Sequence, residues 1–214
     1  MDWTNAFDAY CERTDLSYWS EPVNAVTNLA FLLVAVFMWR RTRGLAGGRV
    51  LTGSLFAIGV GSWLFHTHAT GWAAALDSLS ILVFALVYIF LANRDFLGLS
   101  AWASALGAFA YVPFAAVMAP VFQALPFFAI SSVYWTLPLL MLVYAVLLRQ
   151  RLPVVARGMA LACGILCVSL TFRSVDEAVC AAFPLGTHFM WHMLNAVLLG
   201  WMIEVWRRHK TGSA

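Results

Sequence analysis

His188 and His192 lie four residues apart in the stretch 186–195, Gly-Thr-His-Phe-Met-Trp-His-Met-Leu-Asn. On a helix, that spacing puts both imidazoles on one face with Cβ atoms about 5–6 Å apart, close enough to bind a single metal ion. Such a pair needs a third donor. The chain offers His66, at the end of Gly61-Ser-Trp-Leu-Phe-His66, and an acid, Asp77, in Leu76-Asp-Ser78. Three imidazoles with one open position are the donor set of a catalytic zinc, whereas structural zinc usually takes four protein ligands. Water in the open position would have its pKa lowered toward about 7. Asp77 is then the group to take that proton and return it to a leaving amine. Ser62, one helical turn before His66, shares its face and can hydrogen-bond an oxyanion or the bound water.

These residues must be positioned by membrane helices. Of 214 residues, 63% are hydrophobic and only 11% charged, which excludes an ordinary soluble domain. Seven apolar stretches follow, at roughly 22–39, 49–68, 72–92, 99–118, 129–148, 154–173 and 187–206. Lengths near twenty suit helices rather than barrel strands. The expected fold is therefore an all-α, seven-transmembrane helix bundle over 22–206, with a polar N-terminal segment at 1–21 and a basic tail at 207–214. Residues 1–20 carry Asp2, Asp8, Glu12 and Asp15 and no apolar core, so no cleavable signal peptide is expected there.

Charge sets the orientation. Arg40, Arg41, Arg43, Arg49, Arg94, Arg149, Arg151, Arg157, Arg207, Arg208 and Lys210 all fall on one side, leaving only Arg13 and Arg173 on the other. The positive-inside rule puts the C-terminus in the cytoplasm and the N-terminus outside. Helix parity then carries His66, Asp77, His188 and His192 to the same, outer end. The expected localisation is a bacterial inner (plasma) membrane, with the site near its extracytoplasmic face.

Each residue also has a plainer reading. A lone intramembrane histidine is usually a packing residue, and His68, beside a loop, is read so; His209 belongs to the solvated tail. Asp77 alone would suit the positive end of a helix, and Ser62 alone would permit close helix contact. Cys163 and Cys167 read as small apolar packing residues. Cys11 and Cys180 both fall on the outer side, where an oxidising compartment would let them form a disulfide over the site or leave them as separate thiols.

Ser62-x-x-x-His66, Asp77 and His188-x-x-x-His192 together resemble the signature of the alkaline ceramidase family, within the wider membrane hydrolase superfamily that includes the adiponectin receptors. Tyr10-Cys-Glu-Arg13, Ser20-Glu-Pro-Val-Asn24, Thr27-Asn28 and Asp176-x-x-x-Cys180 resemble the ceramidase branch. The resemblance implies a zinc-dependent amidase that cuts the N-acyl bond of a ceramide-like lipid into fatty acid and sphingoid base. His66, His188 and His192 would hold zinc, with Asp77 and Ser62 handling protons and oxyanion. It also implies a calcium site in the N-terminal segment, with Glu12, Glu21 and the Tyr10 carbonyl as matching ligands and Asp8 one residue out of register. Thr14 and Ala9 stand where Asn and Asp are usual in that family.

Two other classes compete. A non-enzymatic seven-helix lipid receptor or binding protein would use zinc as a structural pin, but the short loops leave no evident signalling domain. A metal or proton transporter would need ionisable groups through the inner half of the bundle, and the polar groups cluster at one end.

Overall fold

A computed structural model describes residues 3–212. Among them there is no strand, and one isolated bridge pairs Ala6 with Thr70. The helices are α1 (Pro22–Thr27), α2 (Leu29–Arg41), α3 (Ala46–His68), α4 (Gly71–Asp95), α5 (Ala101–Phe109), α6 (Tyr111–Gln123), α7 (Pro126–Ala129), α8 (Thr136–Leu148), α9 (Pro153–Val179) and α10 (His188–Lys210). Apolar side chains cannot satisfy a backbone in lipid, so helices that bond internally are the expected solution.

Five stretches are long and apolar enough to cross a membrane: Pro22–Arg41, Ala46–His68, Gly71–Asp95, Ala101–Gln123 and Pro153–Val179. Two of them are broken. Asn28 joins α1 to α2, and Ala110 joins α5 to α6 just before Pro113, which has no N–H to give to the carbonyl of Phe109. The stretch expected at 129–148 becomes a shorter apolar helix, Thr136–Leu148. Pro138 cannot bond the carbonyl of Tyr134, and the Ile130 carbonyl is taken by Arg173 at 3.1 Å. The last helix, His188–Lys210, is 23 residues long but carries three histidines, Glu204 and a basic end, which make it less apolar than the five.

Around the bundle, α4 packs on α3, α3 on α2, α2 on α10, α10 on α9 and α9 on α8, with α5 against α4. The core runs through Leu51, Leu55, Ile58, Leu148, Met159 and Ile203, all almost fully buried. At the basic end, Glu204 receives Arg41 (2.8 Å), Arg207 (2.7 Å) and Arg208 (2.8 Å), while Asp95 accepts from the Trp206 indole at 2.7 Å and Lys210 at 3.0 Å. The histidines occupy the other end of the same α10.

The N-terminal segment lies across that other end. Phe7 N–H donates to Ala69 O (2.9 Å) and Trp72 N–H to Trp3 O (3.2 Å), fastening the segment to the α3–α4 turn. A Cys11–Cys180 disulfide, Cα to Cα 5.4 Å, fastens it to the chain ahead of α10. Buried Asp176 finishes the joint: Oδ1 accepts from Thr187 N–H (2.6 Å) and His188 N–H (2.9 Å), and Oδ2 from Cys11 N–H (3.0 Å). A carboxylate there also meets the positive end of α10. Gly186 makes this possible. Its φ is +67°, and a Cβ would collide with the Asp176 carboxylate and with Cys11. Gly186→Ala is therefore expected to lower stability by about 1–2 kcal/mol from the left-handed backbone alone, and further from the collision, read as a lower unfolding temperature in detergent.

Candidate metal centre

His66 comes from the last turn of α3, and His188 and His192 from the first two turns of α10. Their exposures are 1%, 2% and 1%. The structure brings one ligand atom from each within 4.8 Å of the others. Among the described residues they are the one such group of three His, Cys, Asp or Glu side chains.

The neighbours orient each ring. His66 Nδ1 lies 2.6 Å from Glu21 Oε2. Because an ionised carboxylate only accepts, Nδ1 carries the proton and the Nε2 lone pair is left facing the other rings. His192 Nδ1 lies 2.9 Å from the Thr27 hydroxyl, whose own hydrogen is directed to the carbonyls of Val23 (2.8 Å) and Asn24 (3.1 Å). The Thr27 oxygen therefore accepts from Nδ1–H, and the lone pair again sits on Nε2. His188 is stacked under Tyr10, centroid to centroid 3.7 Å. Desolvation, foremost, pushes the Tyr10 hydroxyl up to about 12, so this ring is a neutral phenol. The nitrogens left without a hydrogen-bond partner are His66 Nε2, His188 Nδ1 and His192 Nε2, one from each ring. Three buried imidazoles, each bringing one ligand atom within 4.8 Å of the others, fit a divalent metal with a preference for nitrogen donors.

Asp77 stands beside this trio rather than within it. It is in the second turn of α4, where Gly61 of α3 lets the helices approach: a Cβ on Gly61 would lie 3.2–3.3 Å from the backbone of Leu76 and Asp77. Ser62 and Asp77 interact and open onto one apolar cavity, which continues past Phe84 and Tyr88 to Met159 and Met202. Tyr88 is eleven residues beyond Asp77, so along α4 the cavity runs about 16 Å, roughly half of a ~30 Å hydrocarbon core. Asn195 and Trp191 of α10 line the same space.

The acids expected to hold calcium do other things. Glu12 caps α1, Oε1 accepting from Val23 N–H (2.7 Å) and Oε2 from Asn24 N–H (2.8 Å). Glu21 is 2% exposed and shared among His66, Arg13 (2.6 Å) and Asn24 (3.1 Å). Burial raises its pKa, but the hydrogen bond and charge of His66, and then those of Arg13, outweigh it and hold Glu21 below the usual carboxylate range. The Tyr10 carbonyl accepts from Arg13 N–H at 3.1 Å, and Asp8 is exposed, accepting from Tyr10 N–H at 3.3 Å. A calcium ion needs six to eight oxygens with lone pairs to spare. These residues do not fit one. His68 also stays apart, its ring against Tyr18 and Trp72.

Sequence reasoning passed over two site neighbours that carried a visible mark. Arg13 and Arg173 are the two basic residues that lie away from the basic end of the bundle, and both are committed to the histidine end. Arg173 donates to Ser131 Oγ (2.8 Å), and its guanidinium carbon lies 5.2 Å from the Tyr134 ring and 5.7 Å from Trp191. Thr27 is the cleaner probe of ring orientation. Thr27→Val keeps the shape but removes the acceptor for His192, and divalent-metal affinity measured by chelator competition is expected to fall about 10-fold, with helical content unchanged.

None of the curated proteins compared with the chain matches it. The family model described as Ceramidase matches residues 6–210, nearly the whole chain and every element of the centre just described. The chain belongs to the ceramidase family.

Proposed function

We propose that the protein is a zinc-dependent intramembrane amidase that hydrolyses the N-acyl bond of ceramide-like sphingolipids to a fatty acid and a sphingoid base. The observation that carries this reading is the set of three unpartnered ring nitrogens beside the Ser62–Asp77 end of an apolar cavity. Family membership supports a hydrolase acting on an amide bond. His66, His188 and His192 would hold zinc, which would supply Lewis acidity and lower the pKa of the attacking water. Asp77 would accept a proton at its carboxylate from the attacking water and deliver it to the departing amine nitrogen. Ser62 keeps the Asp77 carboxylate in place and offers its hydroxyl to the charge developing on the amide oxygen. The cavity walls receive a hydrocarbon tail and keep bulk water from the reacting carbonyl.

In this reading the five apolar helices, α8 and α10 supply seven spans, with the basic end of α10 in the cytoplasm and the metal centre at the outer face of a bacterial inner membrane. A C-terminal alkaline phosphatase fusion is then expected to be inactive and a C-terminal fluorescent-protein fusion bright; the reverse pattern would invert the topology.

The chemistry is tested on purified protein by metal analysis coupled to mass spectrometry of lipid products, with N-acyl sphingolipids and glycerolipid esters offered in parallel. His192→Ala is expected to lose both zinc and hydrolysis. Asp77→Asn is expected to keep zinc and lose hydrolysis by about 10²–10⁴-fold. Zinc and full activity retained in His192→Ala would refute the mechanism, and ester release without amide release would reassign the substrate.

A further inference from the structure

Arg13 is buried in the N-terminal segment, 4% exposed, in a place where a membrane protein has little reason to keep a cation. Its guanidinium is surrounded by oxygens. Nε donates to Glu21 Oε1 (2.6 Å), Nη1 to the carbonyls of Asp15 (3.1 Å) and Ser17 (3.4 Å), and Nη2 to the carbonyl of His66 (2.9 Å). Two of these contacts reach the same metal-ligand residue by different routes. One goes directly to the His66 backbone. The other passes through Glu21, whose second oxygen holds His66 Nδ1 at 2.6 Å.

We infer that Arg13 is a positioning residue for the metal centre: its guanidinium is the built-in cation of the N-terminal segment, does the work a bound calcium ion would otherwise do, and fixes Glu21 and His66 together. This rests on the reading of the three histidines as metal ligands. The physical argument has three parts. A buried carboxylate is costly unless paired and hydrogen-bonded, and Glu21 is paired here by Arg13. A planar fork can serve several acceptors in fixed directions, as a spherical cation in a cage does, whereas a lysine is a single point charge. A carboxylate that orients a ligating imidazole also raises its basicity, and losing such a partner typically weakens metal binding. The guanidinium occupies Glu21 Oε1, while the other oxygens a hard cation would need are taken by backbone N–H groups: Glu12 by Val23 and Asn24, and the Tyr10 carbonyl by Arg13 N–H.

The test uses the full-length purified protein and the variants Arg13→Gln and Arg13→Lys, with Arg151→Gln, at the far basic end, as a control. Zinc affinity is read by chelator competition and the unfolding midpoint with and without about 1 mM Ca²⁺, a concentration that fills extracellular calcium modules. Arg13→Gln is expected to bind zinc about 10–100-fold more weakly. Arg13→Lys should recover part of that loss, because it restores the positive charge facing Glu21 but not the bond to the His66 carbonyl. The wild-type midpoint should be the same with Ca²⁺ and with a calcium chelator. Unchanged zinc affinity in Arg13→Gln, or a wild-type midpoint that rises with Ca²⁺, overturns the inference. Should Arg13→Gln fail to fold, Arg13→Lys and the wild-type calcium comparison still decide it. If the wild type binds no zinc, the metal reading fails by itself, and the calcium comparison continues to report on Arg13.

Discussion

Three imidazoles brought to one buried point are what the end of this bundle opposite the basic tail is built to hold. Three imidazoles buried side by side give up their hydration and must be held in fixed orientations, so the site depends on firm support. The support is specific. Glu21 and Thr27 take the protons of His66 and His192, Tyr10 covers His188, and Asp176 anchors the first turn of α10. Each supporting group comes from a different stretch of chain than the ring it holds, so the centre is a property of the packed bundle rather than of any one helix.

The two ends of α10 show how differently charge is used. At the basic end, Glu204 is shared by three arginines and Asp95 by Trp206 and Lys210, all at the rim. These contacts tie α2, α4 and the tail to α10. At the other end Asp77 and Ser62 face the interior beside an apolar cavity. A carboxylate kept there, among Phe31, Trp191 and Tyr134, is the kind of expense that membrane proteins bear at working sites.

Much of the site was legible because helical spacing is arithmetic. His188 and His192 four apart, Ser62 four before His66, and the parity of successive spans were enough to place all of them, with Asp77, at one end. The supporting groups were harder to read, since what a carboxylate touches depends on how segments fold over one another. Glu21 looked like a ligand for a hard cation, yet it faces His66 because a guanidinium eight residues earlier turns back onto it. Arg13 and Arg173 stood out as exceptions to the charge asymmetry, but nothing in their spacing says which ring or carbonyl they reach. The helix expected at 129–148 begins late for a similar reason: the Ile130 carbonyl finds its partner in α9 rather than in its own segment.

The disulfide spans 169 residues, and Tyr10 rests on a histidine from the final helix. During synthesis the first of these pieces leaves the ribosome long before the last. Until α10 has been delivered, two of the three imidazoles do not yet exist, and the early cysteine has no mate. The centre is therefore assembled last: a half-made chain carries one imidazole of the three, and the buried cluster forms only when the final helix arrives.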